Sequence, residues 1–179
     1  MNARWVRRMM NCWPPFIGAG IRVRHIADDY SEALIEMRFR WYNRNYVGTH
    51  IGGSHYSMTD PIHKVLAMAR LGLDYVVWDK AGSIKYVAPG RGKVFARISV
   101  DDAQLADIRA RARGGAKVLP EFTAVVTDAA GSVVARITKT LYVRLKRTNA
   151  AASGREHSSD EPTRSKAAVD AGSSERTTS

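Results

Sequence analysis

Cysteine is almost missing from this sequence: Cys12 is the single one in 179 residues, so no internal disulfide can form and a reducing, cytoplasmic setting is expected. No neighbour in sequence activates that thiol, and it reads as a small buried side chain. Long apolar runs are missing too. Arg4, Arg7 and Arg8 interrupt the N-terminal stretch that carries Trp5, Met9 and Trp13, which leaves neither a secretory core region nor a membrane span. Met1 to Phe16 instead has the spacing of an amphipathic helix, ended by Pro14-Pro15. Such a helix covers a core or rests on a membrane surface. Covering a core is the simpler reading, and membrane contact is not expected. The absence of a Walker loop, a zinc-spaced Cys/His set and an internal repeat sets aside P-loop, zinc-finger and solenoid classes. No metal and no cofactor are expected.

Acidic residues are scarce as well: 17 Asp and Glu stand against 28 Lys and Arg, a net charge of +11. The imbalance lies in the first 147 residues, with 24 basic and 12 acidic, whereas residues 148–179 hold four basic and five acidic. That C-terminal stretch contains seven Ser, four Thr and six Ala with Val169 as its one large aliphatic, too little apolar surface to offset ordering entropy, and is expected to be a disordered tail. The basic part favours anionic partners in general. Specific nucleic-acid binding is not expected, because no helix-turn-helix, aromatic RNA-binding strand or zinc finger is present and the charges are scattered. Lys80, Arg91 and Lys93, flanking the Pro89-Gly90-Arg91-Gly92 turn, are candidates for phosphate contacts; the plainer reading is a solvated basic turn.

Ahead of the tail, strand patterns dominate. Ile21 to Ile26 and Ala33 to Trp41 alternate apolar and polar residues about a polar turn at Asp28-Asp29-Tyr30-Ser31. A single long apolar helix follows from about Ser54 to Leu71, stopped at Gly72. After it come strands at Asp74–Trp78, Ser83–Val87 and Lys93–Val100, a short basic helix at Asp102–Arg113, and strands at Val118–Thr127 and Ser132–Lys146 joined at Asp128–Gly131. In the last strand Val133, Ala135, Ile137, Leu141, Val143 and Leu145 share the core-facing side. An α+β architecture, an antiparallel sheet wrapped around one central helix, satisfies this order. The domain plan is an N-terminal segment at 1–19, the sheet domain at 20–147 and the tail.

The segment from Asn45 to Pro61, N-Y-V-G-T-H-I-G-G-S-H-Y-S-M-T-D-P, carries the chemistry. Gly52 and Gly53 permit unusual dihedrals and close backbone approach, and peptide N–H groups that open a helix are unpaired and partly positive. Such groups suit an oxyanion. Asp60 lies seven residues past Gly53, on the same helical face but roughly 10 Å along the axis, too far for one reacting carbon. A two-fold dimer that takes the glycines from one subunit and the acid from the other resolves the distance. Asp60 followed by Pro61 is equally a helix start, with the aspartate as N-cap. Alternatively the helix begins near Ser54 and Pro61 kinks it. His50, His55 and His63 crowd this region, and His63 sits one turn from Asp60.

The spacing N-x-x-G-T-x-x-G-G-x-x-x-x-x-x-D, as Asn45, Gly48, Thr49, Gly52, Gly53 and Asp60, resembles the active-site segment of hotdog-fold acyl-CoA thioesterases of the phenylacetyl-CoA and acyl-CoA thioesterase 13 type. The resemblance implies that Asn45 places the thioester, the Gly52 amide polarises its carbonyl, and Asp60 of the partner subunit is general base or nucleophile. Gly53, Thr49 and His50 would complete the substrate-binding loop, and Lys80, Arg91 and Lys93 would meet CoA phosphates. Where that group carries histidine before the glycine pair, this chain has Ile51, with His50 one residue earlier. W-P-P-F-x-G-A-G-I at Trp13, G-G-S-x-Y-x-M-T-D-P at Gly52, L-G-x-D-Y-x-V-W-D-K-A at Leu71 and P-G-R-G at Pro89 also resemble a bacterial hotdog family with no assigned reaction, over roughly residues 11–147. The implied protein is a hotdog homodimer or homotetramer acting on an acyl-CoA or related thioester; a noncatalytic acyl-binding protein is the alternative, and a basic nucleic-acid or membrane-surface protein a more distant one.

Overall fold

The computed structural model describes residues 2–146. Two helices open the chain, α1 (Ala3–Asn11) and α2 (Pro14–Ala19), followed by β1 (Ile21–Ile26) and β2 (Glu32–Met37). Next come α3 (Gly52–Ser57), α4 (Asp60–Leu71), the long strand β3 (Tyr75–Tyr86) and β4 (Val94–Ser99). Helix α5 (Asp102–Arg111), a 3-10 turn, and β5 (Lys117–Val118), β6 (Glu121–Asp128) and β7 (Val133–Leu145) complete it. The seven strands form one antiparallel sheet in the order β1-β2-β4-β6-β7-β3, with β5 beside β7. Its apolar side closes on α4, which buries Ile62, His63, Leu66, Ala67 and Leu71. Helix α1 adds Ala3, Val6 and Met10 to the same core. No helix among the described residues is long and apolar enough to cross a membrane. The expected tail at 148–179 lies outside the described residues.

Three elements differ from their sequence readings. The helix expected over 54–71 is two helices, because Pro61 has no N–H for the Ser57 carbonyl and its ring crowds the preceding turn. Thr59 rather than Asp60 occupies the N-cap of α4, and its hydroxyl donates back to the Tyr56 carbonyl at 3.0 Å. The strands read at 74–78 and 83–87 are one, since β3 pairs with β7 through the polar Asp79–Gly82 stretch and absorbs it as a bulge between Asp79 and Ala81. Strand β2 stops at Met37 instead of running to Trp41. There the Arg38 N–H donates to the Gly20 carbonyl at 2.9 Å, and the Asn43 amide donates to the carbonyls of Ala19 and Arg38, so the chain turns into a loop.

The two sheet edges are treated differently. On β1 the Asn11 side chain pairs with Val23 as a neighbouring strand would, accepting from its N–H at 2.8 Å and donating to its carbonyl at 3.0 Å. Helix α1 thereby covers that edge. Cys12, expected to be buried, is exposed at the end of this helix. The other edge, β3, is twelve residues long, pairs with β7 alone and carries an exposed Trp78.

Candidate active site

Between β2 and α3, Asn45 knits its loop together. Its carbonyl oxygen accepts from the N–H groups of Val47 and Thr49, at 3.1 and 3.0 Å, and its amide donates to the Thr49 hydroxyl at 2.8 Å. The loop leads to Ile51, the N-cap of α3, so Gly52 opens the helix and its N–H has no carbonyl four residues back to meet. Asn45, Thr49, His50 and Gly52 border a cleft of about 400 Å³, closed on its far side by Tyr86 and Pro89-Gly90. Four of the candidate residues are thus neighbours. Gly52 has no left-handed backbone here; its lack of a side chain matters because a Cβ would lie 2.8 Å from the Tyr86 hydroxyl. A Cβ on Gly53 would meet nothing within 4 Å.

Two buried histidines wall the cleft. His50 donates from Nε2 to the Gly92 carbonyl at 2.8 Å, since a carbonyl can only accept, and burial lowers its pKa. His55 lies 5.4 Å from it, ring centre to ring centre, with neither nitrogen in hydrogen-bond geometry. Burial, reinforced by His50, pushes His55 down to about 4, with an opposing pull from the Gly52 backbone that stops short of a bond. Both rings press on Gly90, where a Cβ would come within 2.7 Å of His55 Nε2 and 3.2 Å of His50 Cδ2. That contact accounts for the first glycine of the P-G-R-G turn.

Asp60 is not among the residues that border the cleft. It pairs with Lys139, whose ammonium also holds Asp79 at 2.9 Å and approaches the Tyr56 hydroxyl at 3.4 Å. Lys64 binds the other oxygen of Asp79. Lys139 is the member of this cluster that the sequence pattern alone did not single out. It stands between Ile137 and Leu141 on the core-facing side of β7, is 3% exposed, and lies opposite Gly82 in the β3 register. The Tyr56 ring fills the space over Gly82, where a Cβ would come within 2.0 Å of its hydroxyl. Desolvation would pull the lysine pKa down, but hydrogen bonds and charge from Asp60 and Asp79 win and raise it. A lysine in the core phase of an apolar alternation was the available signal. His63 is fully buried beside Phe122 and also held near 4, first by burial and then by the Lys139 charge, against an opposing pull from the Thr123 backbone. Neither of its ring nitrogens has a hydrogen-bond partner, so it makes no bond to Asp60.

The three candidate phosphate contacts separate. Lys80 sits at the exposed β3 bulge and Arg91 on an exposed turn, while Lys93 borders a hollow with Arg38 and Arg40.

A seven-stranded antiparallel sheet wrapped around a helix is the hotdog fold. Residues 2–143 match the family described as a domain of unknown function, DUF4442, and the chain belongs to that family. A Pseudomonas aeruginosa protein of unknown function and probable thioesterase, PA5026, shares the fold with a TM-score of 0.72 at 17% identity, over 82% of this chain and 97% of its own. Thioesterase HI1161 of Haemophilus influenzae superposes with a TM-score of 0.62 at 12% identity, over 84% of this chain and 95% of its own. A putative thioesterase of Shewanella oneidensis gives 0.60 at 18% identity, over 80% and 97%. No curated protein matches the sequence.

Proposed function

We propose that this protein hydrolyses an acyl thioester, acyl-CoA being the substrate class, in clefts completed by a second copy of the chain. The observation that carries this reading is the way α3 and α4 lie along the bare β3 edge. Gly52 meets β3 at Tyr86, Tyr56 meets it at Gly82, and Asp60 shares Lys139 with Asp79. The amide and the acid therefore contact β3 seven residues apart, roughly 23 Å of extended strand. Antiparallel pairing of β3 with its own copy, centred between Gly82 and Ser83, sets Asp79 of one chain across from the equivalent of Tyr86 in the other. Asp60 then comes beside the second chain's Gly52. Such pairing also satisfies the edge, which α1 leaves uncovered.

In that site the Gly52 N–H donates a hydrogen bond to the thioester oxygen as negative charge develops there, while Asp60 takes a proton from water, whose oxygen bonds to the carbonyl carbon. Collapse of the intermediate breaks the C–S bond, and the thiolate leaves with the proton. Direct attack by the carboxylate is the variant of the same scheme. Asn45 holds the loop that aims Gly52.

The test is Asp60→Asn on a panel of short, long and aromatic acyl-CoAs. Turnover should fall about a hundredfold or more with the fold intact; unchanged turnover would remove Asp60 from the reaction. A noncatalytic acyl-binding role is favoured by one feature, the engagement of Asn45 by its own loop and of Asp60 by Lys139. Acyl-CoA that raises the melting temperature without being hydrolysed would establish that role.

A further inference from the structure

Of the polar side chains that border the cleft, all but one are engaged or hidden. The Asn45 side chain serves its own loop, and the Thr49 hydroxyl accepts from its amide and donates to the His50 carbonyl at 3.4 Å. His50 commits Nε2 to the Gly92 carbonyl, while its other ring nitrogen and both nitrogens of His55 are buried. Ile51, the residue before Gly52, carries no polar side-chain atom. Tyr86 is the exception. It is 54% exposed, its ring lies edge-on to His55 at 6.5 Å, and its hydroxyl bonds to nothing among the described residues. That hydroxyl also stands over Gly52, where a Cβ would lie only 2.8 Å from it. The fold fixes this position, since Tyr86 ends β3 and pairs with the small, buried Ala135 of β7.

We infer that the Tyr86 hydroxyl is a second donor to the thioester oxygen, acting beside the Gly52 N–H of the same chain. The inference rests on the hydrolysis reading and adds to it a catalytic residue from outside the Asn45–Asp60 segment. A carbonyl oxygen that approaches the Gly52 amide enters space that the Tyr86 hydroxyl already borders, so one oxygen receives both bonds. As the water oxygen bonds to the carbonyl carbon, the C=O electron pair moves onto that oxygen and two fixed dipoles meet the charge. The phenol keeps its proton throughout, and the pair returns when the C–S bond breaks. Glycine at 52 serves this arrangement directly, because any side chain there would displace the hydroxyl. The division of labour between chains is preserved: Tyr86 comes with Gly52, and Asp60 comes from the second copy.

The test is Tyr86→Phe, which keeps the ring against His55 and removes the hydroxyl alone. With acyl-CoA as substrate, kcat should fall about ten- to a hundredfold while KM changes less than about twofold. A second measurement reads the contact without turnover: difference infrared spectroscopy of an acyl-CoA isotope-labelled at its carbonyl carbon and bound to Asp60→Asn. Hydrogen bonds to a carbonyl oxygen lower its stretching frequency. The bound carbonyl should therefore absorb below its value in water, and Asp60→Asn/Tyr86→Phe should lose about half of that shift. Unchanged kcat in Tyr86→Phe, or a carbonyl frequency indifferent to it, would overturn the inference. A raised KM with kcat preserved would do so as well, since that is the mark of packing. Hydrolysis that survives Asp60→Asn but not Tyr86→Phe would instead count against the acid, and a Tyr86-dependent shift in a parent that hydrolyses no thioester would count against hydrolysis; both leave the Tyr86 contact standing.

Discussion

A single buried ammonium organises the acid half of the site. Lys139 offers three N–H donors, and its contacts with Asp60, Asp79 and Tyr56 use three directions, joining α4, β3 and α3 at the point where Pro61 breaks the helix. Removing it leaves two facing carboxylates without their shared cation. Lys139→Met should therefore lower stability by about 2 kcal/mol, an amount tempered by the partial exposure of both acids, with urea titration as the measurement. A variant as stable as the parent would show that the apolar replacement fully compensates. Alternation could assign no role to this lysine, because it reports which side a residue faces, not what stands opposite. The opposing Gly82 and the two carboxylates come from distant segments.

At the level of elements, α3 and α4 each bury a histidine that the fold keeps neutral. His55 and His63 have folded values of about 4 against an ordinary value of 6.5. Between those values the unfolded chain binds protons that the folded chain refuses, so stability falls as pH drops from about 6.5 towards 4. Each imidazole accounts for up to about 3 kcal/mol of that loss. Urea midpoints at pH 7, 6 and 5 should decline steadily, and His55→Phe with His63→Phe should flatten the slope. A slope that survives both replacements would place the titrating groups elsewhere. These histidines were visible in sequence as a crowd near the glycine pair, yet burial divided them. His50 and His55 went to the cleft and His63 to the core against Phe122.

For the whole molecule, the consequence of the paired-edge reading is that a half-site from each chain makes one active centre. Gly52→Val and Asp60→Asn, each inactive alone, should complement when mixed under conditions of subunit exchange. A hybrid keeps one intact site, so about a quarter of parental activity should return at equal mixing. Sedimentation should show at least a dimer, and hybrids that exchange without regaining activity would place glycine and acid in the same chain's site.

How much could be read before folding varies with the kind of information. Alternation in Ile21–Ile26 and Val133–Leu145, the polar turns between strands and the apolar spacing after Gly52 determined the strand-and-helix order. These are local signals, set by the two-residue and 3.6-residue repeats of backbone geometry. The spacing from Asn45 to Gly52 likewise predicted neighbours, because a short loop keeps them close. Tertiary structure alone decided that Asp79–Gly82 continues β3, that α1 covers one sheet edge and leaves the other bare, and that Lys139 joins Asp60. Each of those outcomes depends on what a distant segment places opposite, and no local pattern carries the identity of that partner.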